Sequence, residues 1–95
     1  MVDLKPGQLV RSLAGRDKGK HYLVYRMLDD RYVLLVDGHS RPISRPKKKN
    51  RVHLQHYERL VDLEKISEGN ELNDDLILKV LKGLVSDSEV SAEEV

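Results

Sequence analysis

Nine basic side chains gathered in two short stretches are the residues of this sequence whose type and spacing point to a chemistry. Arg16, Lys18 and Lys20 fall within five positions; Arg45, Lys47, Lys48, Lys49 and Arg51 fall within seven, with Arg41 just upstream. That chemistry is neutralisation of a polyanion, because each Lys or Arg placed on a phosphate releases condensed counterions. Gly15 and Gly19 lie in the first stretch. They permit positive φ and let backbone N–H groups come close to phosphate as well.

Other chemistries lack their constellations. His53 and His56 suggest metal ligation, but the chain has no cysteine and no third ligand completes a site, so no metal is expected. Asp29-Asp30 could be read as a carboxylate pair, yet adjacent acids in a turn serve local hydrogen bonds and set no catalytic distance. The Gly15–Gly19 spacing lacks the Gly-Lys-Ser/Thr ending of a phosphate-binding loop of nucleotide hydrolases. No Ser, Cys or His arrangement implies a nucleophile. The expectation is a protein with no catalytic residues and no cofactor, and not an enzyme.

The basic stretches belong to a wider charge division. Residues 1–59 hold 14 Lys/Arg against 6 Asp/Glu, and residues 60–95 hold 3 against 10, so a formal net charge of +1 conceals halves of +8 and −7. A half that basic has the electrostatic footprint of a polyanion binder. Ninety-five residues suit one small domain. Its core must be aliphatic, since Phe and Trp are absent and only four Tyr occur. The first residues lack the order of a signal peptide, and no apolar run approaches the ~20 residues of a membrane span. A soluble, intracellular protein, cytoplasmic and without a membrane partner, is expected.

The elements that must position the basic residues are mainly strands. Pro6-Gly7 marks a turn before a short strand over 8–12, and 22–28 and 32–37 form a hairpin about the turn-like Asp29-Asp30-Arg31. Arg41-Pro42-Ile43 suggests a brief pairing. Pro42 and Pro46 then bracket the start of the basic run, which reads as a loop with its lysines exposed. Residues 52–56 read as a last strand with Val52 and Leu54 inward and the histidines outward. Tyr57, just past it, is the best candidate for stacking on a base. Leu60 to Ile66 suggest a short helical or irregular segment, packed on the strands, that stops at Gly69. A clearer helix has Asn73 as N-cap, Asp74 and Asp75 in its first turn, a stripe of Leu76, Val80 and Leu84 with Ile77 and Leu81 beside it, and Gly83 at its end. From Ser86 the chain is small and acidic, a disordered tail by composition.

The run Gly7-Gln8-Leu9-Val10-Arg11-Ser12-Leu13-Ala14-Gly15-Arg16-Asp17-Lys18-Gly19-Lys20, followed by Val36-Asp37-Gly38 and by Arg45-Pro46-Lys47-Lys48-Lys49-Asn50-Arg51-Val52-His53-Leu54, resembles a KOW domain. Gly19-Lys20 matches the Gly-Lys pair that turns into the second strand in that family. The second block is similar to the basic loop and closing strand of the KOW-type large-subunit ribosomal proteins of archaea and eukaryotes, and the whole resembles the short KOW-domain RNA-binding proteins of bacteria, with their acidic C-terminal helix. The resemblance implies a small SH3-like barrel of four to five strands over 1–57, a helical extension over 58–85 packed on it, and the tail over 86–95. It implies RNA binding, to ribosomal RNA on a ribosome or ribosomal subunit, with the nine basic residues as contacts and no small-molecule substrate. With few aromatics, RNA shape and backbone would be read in place of a base code. The rival expectation is a protein-interaction module of the transcription or translation apparatus, its basic loops serving only to steer.

Overall fold

A computed structural model describes residues 4–67 and 71–93, with side chains as far as residue 86; Gly69 lies outside that range. Strands β1 (Gln8–Ser12), β2 (His21–Met27), β3 (Tyr32–Val36), β4 (Lys47–Asn50) and β5 (Leu54–Leu60) are followed by helices α1 (Leu63–Ser67) and α2 (Asp74–Glu93), with a 3-10 turn at Arg51–His53 between β4 and β5. The strands form one antiparallel sheet in the order β4-β3-β2-β1-β5.

Period-two alternation makes both faces of this sheet apolar. The register pairs Leu9 with Leu23 and Leu23 with Val36 on one face, and Val10 with Tyr22 and Val24 with Leu35 on the other. Val10, Tyr22, Val24, Val33 and Leu35 bury themselves with Leu4, and half-buried Met27 and Leu54 pack against them. Leu9, Leu23 and Val36 pack instead under Ile77 and Leu81 of α2. The first cluster lies on the concave side, because the sheet must curl. Its edge strands β4 and β5 are joined by only three residues, a connection that reaches about 14 Å at most, whereas the edges of a flat five-stranded sheet stand about 19 Å apart. Register shifts between Gln8 and Val10 and between Val24 and Arg26 add the local twist that bulges bring. No ladder joins β4 to β5 among the described residues, so the sheet is curled but not closed.

The hairpin turn forms as its residues dictate: Asp29 Oδ1 accepts from the backbone N–H groups of Arg31 and Tyr32, each at 2.8 Å. These two donors hold its carboxyl below the ordinary value. α2 starts where the sequence places it, the N–H of Leu76 donating to Asn73 Oδ1 at 2.9 Å. Its first turn is docked on the β3–β4 connection. Ile43 N–H donates to Asp74 Oδ1 at 2.8 Å, and Gly38, at φ +77°, lies so close that a Cβ there would run into the Asp74 carbonyl and Leu78.

Several expectations are corrected. The basic run is a strand, not a loop: Lys47, Lys48 and Lys49 pair with Leu35, Leu34 and Val33. Pro46 ends just outside the ladder, where its missing N–H costs nothing, and an edge strand tolerates lysines well. Arg41–Ile43 forms no strand; it closes a turn in which Asp37 N–H donates to Arg41 O at 3.0 Å. Val52 belongs to the 3-10 turn and is 72% exposed instead of inward, because Asn50 caps that turn through its Oδ1 on the Val52 N–H at 3.1 Å. β5 begins at Leu54 and runs to Leu60, so Tyr57, expected just past the last strand, lies within it. The segment read as helical or irregular is a helix over Leu63–Ser67. α2 runs through Gly83 as far as Glu93, over most of the stretch read as a disordered tail. One glycine costs a helix about 1 kcal/mol, and Leu84 and Val85 beyond it pack on the α2-side cluster. The centre of the apolar stripe is Ile77 and Leu81, with Val80 and Leu84 flanking them. Among the described residues no helix is long and apolar enough to cross a membrane.

Candidate nucleic-acid interface

The β1–β2 loop is built around a buried carboxylate. Gly15 at φ +88° and Gly19 at φ +92° let the chain turn sharply. Gly19 N–H then donates to Ser12 O at 2.8 Å, and Ser12 N–H donates to Lys20 O at 2.9 Å. Asp17, between the glycines, is folded inward and is 6% exposed. Its Oδ1 accepts from Ser12 Oγ at 2.9 Å and Lys49 Nζ at 3.1 Å, and its Oδ2 from Tyr22 Oη at 3.0 Å and Lys47 Nζ at 2.9 Å. Burial alone would raise this carboxyl, but hydrogen bonds from Lys47, Ser12, Lys49 and Tyr22 outweigh it and hold the group well below the usual carboxylate range. The Tyr22 hydroxyl is pushed up, by burial first and then by the Asp17 anion it donates to.

Strand register decides which lysines reach Asp17. Lys47 and Lys49 stand opposite Leu35 and Val33, whose side chains fill the concave face, so both point there. Their side chains are 22% and 12% exposed. Lys49 Nζ also donates to Ala14 O at 2.8 Å, tying β4 to the loop. Lys48 alternates to the other face, where its Nζ lies 4.5 Å from the centre of the Tyr32 ring.

The remaining basic residues divide by position. Arg16 and Lys18, either side of buried Asp17, are exposed, as is Lys20. Arg41 and Arg45 are exposed in the β3–β4 loop. That loop is ordered by Asp37, whose carboxylate accepts from the N–H groups of His39 at 2.8 Å and Arg41 at 2.7 Å and from Ser40 Oγ at 2.6 Å. Burial opposes ionisation of Asp37, but these three donors keep its carboxyl below the ordinary value. Because β2 starts beside the end of β3, the two loops lie at one end of the hairpin. Arg51 sits at the far end of β4, its Nη1 donating to Asp30 O at 3.1 Å and its N–H to Arg31 O at 2.8 Å.

Of the nine residues expected to contact a polyanion, then, Lys47 and Lys49 are bound to Asp17, Arg51 is half-buried against the hairpin turn, and Arg16, Lys18, Lys20, Arg41, Arg45 and Lys48 present themselves on the surface. Asp17 itself, buried with Ser12 and Tyr22 beneath these cations, is the part of the site that residue types alone do not disclose. A single acid among basic residues between two glycines is its only local signal. Exposed Arg11, in β1 opposite half-buried His21, adds a further cation.

The tyrosines are engaged in packing. Tyr57 is half-buried against the α2-side cluster, and its hydroxyl lies 3.2 Å from His21 Nε2 with the rings 5.7 Å apart. It is not an open platform for a base. Among the described residues no group of three or more His, Asp or Glu is placed to hold a metal ion. The sequence matches no protein-family model and no curated protein.

Proposed function

We propose that this chain is a non-enzymatic RNA-binding protein of the KOW type that associates with the ribosome in the cytoplasm and grips structured RNA by its phosphates. The observation that carries the reading is how the acids and bases of the first half are used. Asp17 and Asp37 accept from donors of the protein itself on both carboxylate oxygens, and Asp29 accepts two backbone N–H groups on one, while Arg16, Lys18, Lys20, Arg41, Arg45 and Lys48 remain exposed. Carboxylates held this way order the loops, and the cations they leave outside define the surface. The SH3-like barrel within this reading is supported by the tight curl and by the 3-10 link between the edge strands. The ribosomal target rests on the resemblance of the sequence motifs.

Co-sedimentation of the purified chain with ribosomal subunits across a salt series tests the partner and the mechanism together. The chain should pellet with a subunit at low salt and be released steeply as salt rises. A chain that stays in the supernatant at low salt, and also fails to shift a structured RNA, overturns the proposal. One second reading, a protein partner, would use the exposed apolar side chains Leu13, Leu28, Val52 and Leu60, of which Val52 is 72% and Leu60 56% exposed. Pelleting that ignores both salt and nuclease treatment would select it.

A further inference from the structure

A groove opens where three elements meet. Lys20 and His21 enter it from the start of β2, Asp37 and His39 from the β3–β4 loop, and Leu78, Leu81 and Lys82 from α2. Two lysines and two histidines from separate parts of the chain thus line one concavity. Asp37 is the carboxylate among its lining residues, and both of its oxygens are occupied, Oδ1 by the N–H groups of His39 and Arg41 and Oδ2 by Ser40 Oγ. The leucines supply an apolar wall, beside which charge interactions are less screened than in open water. His21 is held in place by the Tyr57 hydroxyl.

We infer that this groove seats a phosphate of the bound RNA and that Lys82, in the acidic half of the chain, belongs to the RNA surface. The inference rests on the RNA-binding reading and deepens it. α2 gains a second task beyond covering the sheet: it carries a cation to the same end of the hairpin as Lys20. Its spacing suits that task, since Leu78 and Lys82 are four residues apart and share a helix face, while Ile77 and Leu81 are sunk in the core beneath. Lys79 is exposed on the same helix but does not line the groove. It is the natural control.

The test compares Lys20→Ala, Lys82→Ala and Lys79→Ala in titrations with a structured RNA across a salt series. Lys82 and Lys20 are exposed, so the fold is retained, which circular dichroism checks. Loss of Lys82 should lower affinity as loss of Lys20 does and reduce the salt slope by about 1, with a smaller effect for Lys79. In parallel, the imidazole resonances of His21 and His39 are followed by NMR while inorganic phosphate is added, in the parent and in the Lys20→Ala/Lys82→Ala double variant. Shifts in the parent that vanish in the double variant support the groove. RNA binding that is normal in Lys82→Ala, or no different from Lys79→Ala, overturns the inference and leaves the RNA reading standing. If the parent binds no RNA at all, the RNA reading fails, and an RNA seat in this groove fails with it. The phosphate titration then shows whether a bare anion site remains.

Discussion

Asp17 gives up the exposure that aspartates usually keep and receives four donors in return, two of them cationic. Removing the charge while leaving its partners should therefore be costly, because Lys47 and Lys49 would face a neutral group in a partly dry site. Asp17→Asn is expected to destabilise by about 3 kcal/mol, the low end for a broken buried pair since both lysines keep some access to water. Urea unfolding at pH 7 measures it. The sign of the pH dependence follows from the depressed carboxyl: its stabilisation is present above the unfolded value of 3.8 and is lost as pH falls below it. An amide in its place does not titrate, so the gap between the parent and Asp17→Asn should narrow below about pH 4; a gap that stays constant well below that pH would contradict the assignment. Residue types showed that the loop was basic and glycine-spaced. They could not show that its one acid was the anchor, because which lysines face Asp17 depends on how β4 aligns with β3, a long-range property.

At the scale of elements, β4 is the instructive case. Lys-Lys-Lys-Asn after a proline carries no strand signal of its own, and it is a strand only because β3 offers an edge and Asp17 offers a counter-charge on alternate residues. Lys49→Ala should consequently lose about 1–3 kcal/mol of stability, whereas Lys48→Ala, on the outer face over Tyr32, should stay within about 1 kcal/mol of the parent. Equal thermal shifts for the two would refute the alternation. The hairpin, the first strand and the start of α2 were legible because their signals are local: period-two runs, an Asp turn and an Asn cap. The 3-10 turn and the run of α2 past Gly83 were not, since each is decided by packing partners distant in sequence. α2 is a structural member of the domain. Ile77 is fully buried between it and the sheet, so Ile77→Ala should cost about 2–5 kcal/mol. Gly38→Ala should also destabilise, by more than about 1 kcal/mol, from left-handed strain together with the clash on the first turn of α2.

For the molecule as a whole, the +8 and −7 halves are not two separate modules. The acidic half supplies Ile77 and Leu81 to a core shared with β1, β2 and β3, and the basic half uses its own carboxylates to order the loops that display its cations. A Lys47/Lys48/Lys49 triple alanine would mix these roles, stripping the anchor from Asp17 along with any RNA contact. Variants confined to the exposed rim separate them. The most direct measurement is the salt dependence of affinity for a structured RNA, compared between the parent and an Arg16→Ala/Lys18→Ala/Arg45→Ala variant whose unfolding midpoint matches the parent. If these side chains sit on phosphates, affinity falls for all RNA sequences alike and the slope of log K against log salt becomes shallower by about 3, one unit for each cation removed. An unchanged slope and affinity in a fully folded variant would contradict an RNA surface built on these loops.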